Sequence, residues 1–280
     1  MATAFETFNA GALSSLKKRL QQTSSWVLCA QETGITEDKI PDVSQWCDSR
    51  GWRLFPTPAL PGRNGKGTSC GAAVLVRKEL GARFLDGYTS ASLVKHRAAA
   101  ALVEIPGWPP ICFVSMYLFT GGLSEASLEI LSAVGERLPS TMLKVIGADW
   151  NADAQAIVQT GFGHRTGLSL AVPAGKTCYM PDSISKIDYF AVSPQIRQVM
   201  VSTAVVLEHA PKPHMPVVMS LRGDAISVRH LVYRQHAKLP TVAPFGPQPR
   251  PQSWHSAAIL AEAAAQHSQV MSVASAHRML

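Results

Sequence analysis

Apolar runs of strand length recur along this chain, and they constrain its fold more than any other feature. WVLCAQE at 26–32, AAVLVRK at 72–78, AAAALVEI at 98–105, ICFVSMYLF at 111–119, LKVIGADW at 143–150, KIDYFAV at 186–192, QVMVSTAVVL at 198–207 and MPVVMSL at 215–221 all read as strands. WRLFPTP at 52–58 adds a strand closed by prolines, and PGRNGKGTSCG at 61–71 is loop chemistry. Helical spacing interrupts the runs. Leu16 and Leu20 stand four apart within 14–25, with serines available as the N-cap. Ile40, Val43 and Trp46 mark a helix over 37–50 that stops at Gly51. Leu128, Leu131, Val134 and Leu138 make 124–138 amphipathic. Strands outnumber helices and the two alternate, so the class is a layered α/β fold with much antiparallel or mixed sheet.

Composition sets the outer limits. With 46% hydrophobic and 16% charged residues, the 280-residue chain is no charge-driven disordered protein. No run approaches the roughly 18 apolar residues of an ordinary membrane span, so no membrane partner is expected. The N-terminus lacks a basic head followed by an apolar stretch, against a secretory signal. Five scattered cysteines (29, 47, 70, 112, 178) without CxxC argue for a reducing compartment, cytosolic or nuclear, and against both a disulfide framework and a zinc site. The net charge of +7 is compatible with a polyanionic partner. Its carriers are spread out: Lys17, Lys18 and Arg19; Arg63 and Lys66; Arg77 and Lys78; Arg222, Arg229, Arg234 and Lys238. A core domain over 1–234 is expected, followed at 235–280 by a Pro-rich linker and an Ala-rich tail.

The chemistry sits at strand ends. Gln31 and Glu32, Asp149 and Asn151, Asp188, and His214 each follow or end an apolar run, where α/β folds assemble sites. Carboxylates, an amide and a histidine gathered there suit a hard divalent cation such as Mg²⁺. Each residue also has a plain structural reading. Glu32 reads as a solvated turn residue, Asp149 and Asn151 as an Asx-turn, Asp188 as a partner of Lys186, His214 as a loop residue and Tyr117 as core.

The order of these segments resembles the endonuclease/exonuclease/phosphatase superfamily over residues 4–222. CAQET is similar to its LQET motif, GAAVLVRKEL to its Gly-rich strand, and VSMYLF to the strand that ends in a tyrosine. IGADWNA resembles GDFN, SKIDYFAVSP resembles SRIDYILVS, and KPHMPVV resembles SDHxPV. The opening TFNAGALSSLKKRL looks like the family's first strand, with Asn9 at the amide position. The resemblance implies a four-layer α/β/β/α sandwich of the DNase I-like type, two packed mixed sheets flanked by helices. It implies a metal-dependent phosphodiester hydrolase, most simply a DNA endonuclease of the abasic-site or non-LTR retroelement kind. Glu32 would hold Mg²⁺ or Mn²⁺ with Asn9 nearby. Asp149, held with Asn151, would orient or deprotonate the attacking water. His214, oriented by Asp188, would stabilise the phosphoryl charge, and Tyr117 would donate to the phosphate. DNA is the implied partner, and no protein partner is implied.

Pro213 stands where the family carries an aspartate, Gly147 and Asp149 are separated by Ala148, and Tyr117 is followed by Leu118 and Phe119. Loss of the acid at 213 is expected to weaken metal binding or rate rather than unfold the domain. A catalytically inactive relative, and a phosphatase or phosphodiesterase acting on a small phosphoester, are the alternative readings.

Overall fold

A computed structural model describes residues 3–62, 67–207 and 213–222. The chain opens with β1 (Thr3–Asn9), α1 (Leu13–Gln22), β2 (Val27–Gln31), a 3₁₀ turn (Glu37–Lys39), α2 (Ile40–Asp48) and β3 (Trp52–Thr57). There follow β4 (Leu60–Pro61), β5 (Thr68–Ser69), β6 (Ala72–Arg77), β7 (Gly81–Arg83), β8 (Ser92–Val94), β9 (Ala98–Glu104) and β10 (Ile111–Tyr117). Next come α3 (Glu125–Arg137), β11 (Leu143–Asp149), α4 (Ala154–Gln159), α5 (Phe162–Thr166), β12 (Ser169–Ala171), β13 (Cys178–Met180) and β14 (Ser183–Ser185). The described elements end with β15 (Asp188–Val192), α6 (Pro194–Val199), β16 (Met200–Val205) and β17 (Val217–Leu221).

Two mixed sheets result. One runs β16-β17-β1-β2-β6-β3, and the other β12-β15-β11-β10-β9-β7 with β8 paired to β9. β1–β2 and β10–β11 are parallel pairs. The inner faces meet through Phe5, Val27, Cys29 and Val74 from the first sheet and Phe113, Val145 and Phe190 from the second. Outside the first sheet, Leu16 and Leu20 of α1 and Val43 and Cys47 of α2 pack on Phe8, Leu28 and Leu75. Outside the second, Ile130, Leu131 and Val134 of α3, with Ile157 and Phe162, cover Val114, Met116 and Ile146. Strands between two apolar layers bury both faces, which is why their sequences are apolar throughout. The layers are α/β/β/α, as the resemblance implies.

Several local expectations are corrected. Ala12, without a side-chain hydrogen bond, is the N-cap of α1, and Ser14 and Ser15 lie inside the helix. In α3, Leu128 is exposed at 43%, whereas Ile130 packs inward beside Leu131 and Val134. Residues 198–199 close α6 instead of opening a strand; Pro194 near its first turn is the start signal. The Pro-rich and Ala-rich segments, and the boundary at 234, lie outside the described residues.

Where the sheets meet near the C-terminal ends of β1, β2 and β11, the contact is polar and close. A Cβ on Gly147 would come within 2.8 Å of both Thr7 Cβ and Cys29 Cβ. Gln31 Nε2 donates to Ser115 Oγ and to the Gly147 carbonyl, each at 3.0 Å, joining the two sheets. The side-chain period of a strand is two, so the approach of Thr7 to Gly147 also brings Asn9 to Asp149. Gly147→Ala is therefore expected to cost about 1–3 kcal/mol through overpacking. Denaturant titration checks this; an unchanged midpoint would show that the seam yields without strain.

Candidate active site

β1, β2, β10, β11 and β15 deliver their C-terminal or N-terminal residues to one edge of the sandwich. Asn9 Nδ2 donates to Asp149 Oδ2 at 2.7 Å and lies 3.5 Å from His214 Nε2. His214 Nδ1 lies 3.1 Å from both oxygens of Asp188. His214 Nε2 is 3.8 Å from Asp149 Oδ2. Asp149, Asp188 and His214 can each aim one ligand atom within 4.8 Å of the others. The Tyr117 hydroxyl donates to Glu32 Oε1 at 2.6 Å. Asn151 donates its backbone N–H to Asp149 Oδ1 and its side-chain amide to the Leu118 carbonyl.

Several of the plain readings are thereby answered. Asp149 does form an Asx-turn with Asn151, through one oxygen, while its other oxygen faces Asn9. Asp188 pairs with His214. Tyr117 is buried and yet hydrogen-bonds Glu32. Asn9, expected beside Glu32, donates its amide Nδ2–H to Asp149 and accepts the Gly11 N–H with its Oδ1. Glu32 and Asn151 both hold positive φ, at 48° and 46°, immediately beyond β2 and β11. Asparagine tolerates that region; a glutamate there is strained, and such strain clusters at functional sites.

Burial sets the electrostatics. It pushes the Asp149 carboxyl above the usual carboxylate range, and the nearby Asp188 charge adds to this. Asp188 is also raised by burial, against the opposing His214 hydrogen bond. For His214, burial works against the imidazolium. The Asp188 hydrogen bond and the charges of Asp188, Asp149 and Glu32 overcome it and push the group up to about 9. Tyr117 is raised by burial and by Glu32, so it stays a donor. A pKa raised on folding stabilises the fold below the unfolded value and ceases to as pH climbs through the folded one. In chelator, the melting temperature is therefore expected to fall between pH 6.5 and about 9 as His214 loses its proton. A flat profile over that window would contradict the arrangement.

Three residues near the site, Thr177, Cys178 and Arg97, carry no sequence signal of their own, and Gln31, singled out beside Glu32, has a structural part. Thr177 Oγ1 accepts the N–H groups of Ile187 and Asp188, fixing the start of β15. Cys178 Sγ lies 3.8 Å from His214 Nε2. The Arg97 guanidinium covers the Tyr117 and Phe119 rings at 4.9 and 3.7 Å. Gln31 ties the sheets beneath. Two of the basic residues counted toward a polyanion are otherwise engaged. Arg19 is buried on Glu6, and Arg77 stacks on Trp52 while donating to the Thr23 carbonyl. A cavity of about 520 Å³, lined by Trp26, Arg77 and Leu80 among others, lies at the opposite end of β2 from Glu32. All five cysteines are buried and unpaired. Among the described residues, no helix is long and apolar enough to cross a membrane.

No protein-family model matches the sequence, and comparison with curated proteins finds no match. Solved structures do match. The endonuclease domain of TRAS1, a telomere-specific non-LTR retrotransposon, superposes with a TM-score of 0.59 at 16% identity, over 81% of this chain and all of that domain. The 3′ phosphatase NExo from Neisseria, bound to a product DNA hairpin, gives 0.55 at 17% identity, over 79% of this chain and 100% of that one. An endonuclease/exonuclease/phosphatase family protein from Leptotrichia buccalis gives 0.55 at 15% identity, with the same coverage. The layers, the strand order and these superpositions together give the chain the fold of the endonuclease/exonuclease/phosphatase proteins.

Proposed function

We propose that the chain is a divalent-metal-dependent phosphodiester hydrolase acting on DNA. The observation that carries this reading is the hydrogen-bonded series Asn9–Asp149 and His214–Asp188, closed by a 3.8 Å approach of His214 to Asp149, with the Tyr117–Glu32 pair nearby. Phosphodiester hydrolysis needs an oriented water, neutralisation of phosphoryl charge and support for the leaving oxygen. Asp149, positioned by Asn9 and Asn151, is the group to orient or deprotonate water. His214, kept cationic by its carboxylates, meets the developing phosphoryl charge, and Asp188 fixes its ring. Tyr117 is a second donor, and Arg97 beside it supplies a cation for a phosphate.

The donor set fits a hard cation. Tyr117 engages only Oε1 of Glu32, a half-buried carboxylate, and the neighbouring carboxylates give the site an excess of negative charge. His214 in its protonated form offers no lone pair to a metal, so Glu32 rather than the histidine would hold Mg²⁺ or Mn²⁺. The bound ion would supply Lewis acidity at a phosphoryl oxygen. In this arrangement Asn9 acts through Asp149, its own oxygen being directed to Gly11.

DNA as substrate is supported by the +7 charge and by the nuclease-like fold. The test is nicking of supercoiled plasmid with Mg²⁺ and with chelator, beside His214→Ala. Nicking that needs the metal and vanishes in the variant supports the reading; metal-independent nicking, or none, overturns it.

Pro213 favours a second reading, a weakened or inactive relative. It offers neither ligand nor charge, yet the His214–Asp188 pair forms without an acid there. Pro213→Asp is expected to improve rate or Mg²⁺ affinity about tenfold. Unchanged activity and Mg²⁺ dependence would remove position 213 from the account.

A further inference from the structure

We propose that Gln31 is a positioning residue, whose buried side-chain amide locks the two sheets in the register that holds the candidate site together. Asn9 ends β1 and Glu32 follows β2 in the first sheet; Tyr117 ends β10 and Asp149 ends β11 in the second. Asn9 donates to Asp149 and Tyr117 donates to Glu32, so both hydrogen bonds run from one sheet to the other. Backbone ladders fix strands within a sheet and leave the offset between stacked sheets to side chains. Apolar burial is non-directional, whereas a hydrogen bond weakens steeply once misaligned.

The directional contact lies directly beneath the four residues. Gln31 Nε2 is 3.0 Å from Ser115 Oγ and 3.0 Å from the Gly147 carbonyl, both in the second sheet. Within its own sheet it is 3.2 Å from Thr7 Oγ1 and 3.2 Å from the Cys29 carbonyl. Carbonyl oxygens only accept, so Cys29 and Gly147 fix which end of the amide carries the hydrogens. Ser115 Oγ returns a hydrogen bond across the seam to the Ala30 carbonyl at 2.7 Å. Thr7, Ser115 and Gly147 each stand two residues before a site residue, namely Asn9, Tyr117 and Asp149, and therefore share its face of the strand. The Gln31 carbonyl accepts the Ala10 N–H at 2.8 Å, which ties the end of β1 to the same point. Thr7, Gln31 and Ser115 are fully buried, in a seam otherwise built from Phe5, Val27, Phe113 and Val145. A leucine would serve cohesion there; a satisfied polar network adds a unique geometry.

Gln31 therefore acts on the site through the frame. Its amide sets the distance between Glu32, on the metal side, and Asp149, on the water side. The catalytic consequence rests on the phosphodiesterase reading. Loss of the amide should leave each group in place on its own sheet, so DNA and Mg²⁺ are still bound, and should spoil the spacing between them. Misplacement by about 1 Å costs on the order of 10²-fold in rate.

The experiment compares the full-length chain with Gln31→Leu and Ser115→Ala, each verified as folded by circular dichroism. NMR of tyrosine labelled at Cζ reads the Tyr117 hydroxyl, its signal identified by its loss in Tyr117→Phe. Tyr189 is the internal control: its hydroxyl donates to the Ala152 carbonyl on the outer side of the second sheet, away from the seam. In Gln31→Leu the Tyr117 signal is expected to move toward that of free tyrosine while the Tyr189 signal stays in place. In plasmid nicking, kcat is expected to fall about 10²-fold with KM and the Mg²⁺ dependence unchanged. Ser115→Ala should shift both readouts in the same direction by less, and it decides the matter where Gln31→Leu does not fold. A Tyr117 signal unmoved in the folded variants, Tyr117 and Tyr189 moving together, or a native kcat beside a displaced Tyr117 signal overturns the proposal. A native chain that never nicks plasmid, with a Tyr117 signal that still depends on Gln31, would sink the hydrolase reading and leave the register lock standing.

Discussion

Asp149→Asn is expected to lower metal-dependent nicking about 10²–10⁴-fold, the range for loss of a positioned acid–base group, without lowering the melting temperature. The carboxylate accepts two hydrogen bonds with two different oxygens, from Asn9 Nδ2 and from Asn151 N–H. An amide has one acceptor oxygen, so one of these contacts must face an N–H₂ group. The water-orienting charge disappears as well. Stability moves the other way. Burial and the Asp188 charge already disfavour the ionised form of Asp149, so a neutral group of the same shape relieves a cost at neutral and alkaline pH. A purely structural Asp149 would lose rate and melting temperature together. Full rate in the variant would remove Asp149 from the mechanism.

The contrast between a legible frame and a partly hidden site has a physical origin. β9, β10 and β11 lie between apolar layers, so uninterrupted apolar sequence is their only stable solution, and it is visible on reading. The residues at their ends were legible through their order along the chain, each next to a strong strand signal. Cys178 was not, because β13 and β14 form a short, largely exposed ribbon whose sequence carries no alternation. Its pairing with His214 spans 36 residues and belongs to tertiary structure alone. Arg97 was hidden for a related reason: a cation that follows a turn looks solvated until the aromatic faces beneath it are known. In α3 the leucine pattern pointed to Leu128, but α3 buries the stripe through Ser127, Ile130, Leu131 and Val134, rotating Leu128 outward.

Charge was the least legible property. Lys17, Lys18 and Arg19 are consecutive in a sequence whose basic residues are otherwise spread out, yet the neighbour in space decides what each does. Arg19 projects from α1 onto Glu6 of β1, with Nε to Oε1 at 2.6 Å and Nη2 to Oε2 at 3.0 Å. Glu6 is fully buried and also accepts from Thr23 Oγ1 at 2.6 Å. A bidentate, desolvated pair of this kind cannot serve a phosphate backbone without opening the fold.

Arg19→Met is accordingly expected to destabilise the chain by about 3–5 kcal/mol, because it leaves the Glu6 carboxylate buried with hydroxyl partners only. For a domain of this size that is a drop in melting temperature on the order of 10 °C. Adding Glu6→Leu should recover more than half of the loss, since an apolar pair of similar volume replaces an ion pair at little net cost. The loss is not recovered completely, because Thr23 and Ser25 give up their acceptor. The same double variant separates structure from binding. If Arg19 only anchors α1, DNA affinity and its salt dependence stay at native values in the double variant despite the removed guanidinium. A shallower salt slope would place Arg19 on the nucleic-acid surface, and a double variant as unstable as Arg19→Met would mean that something other than the stranded carboxylate sets the cost.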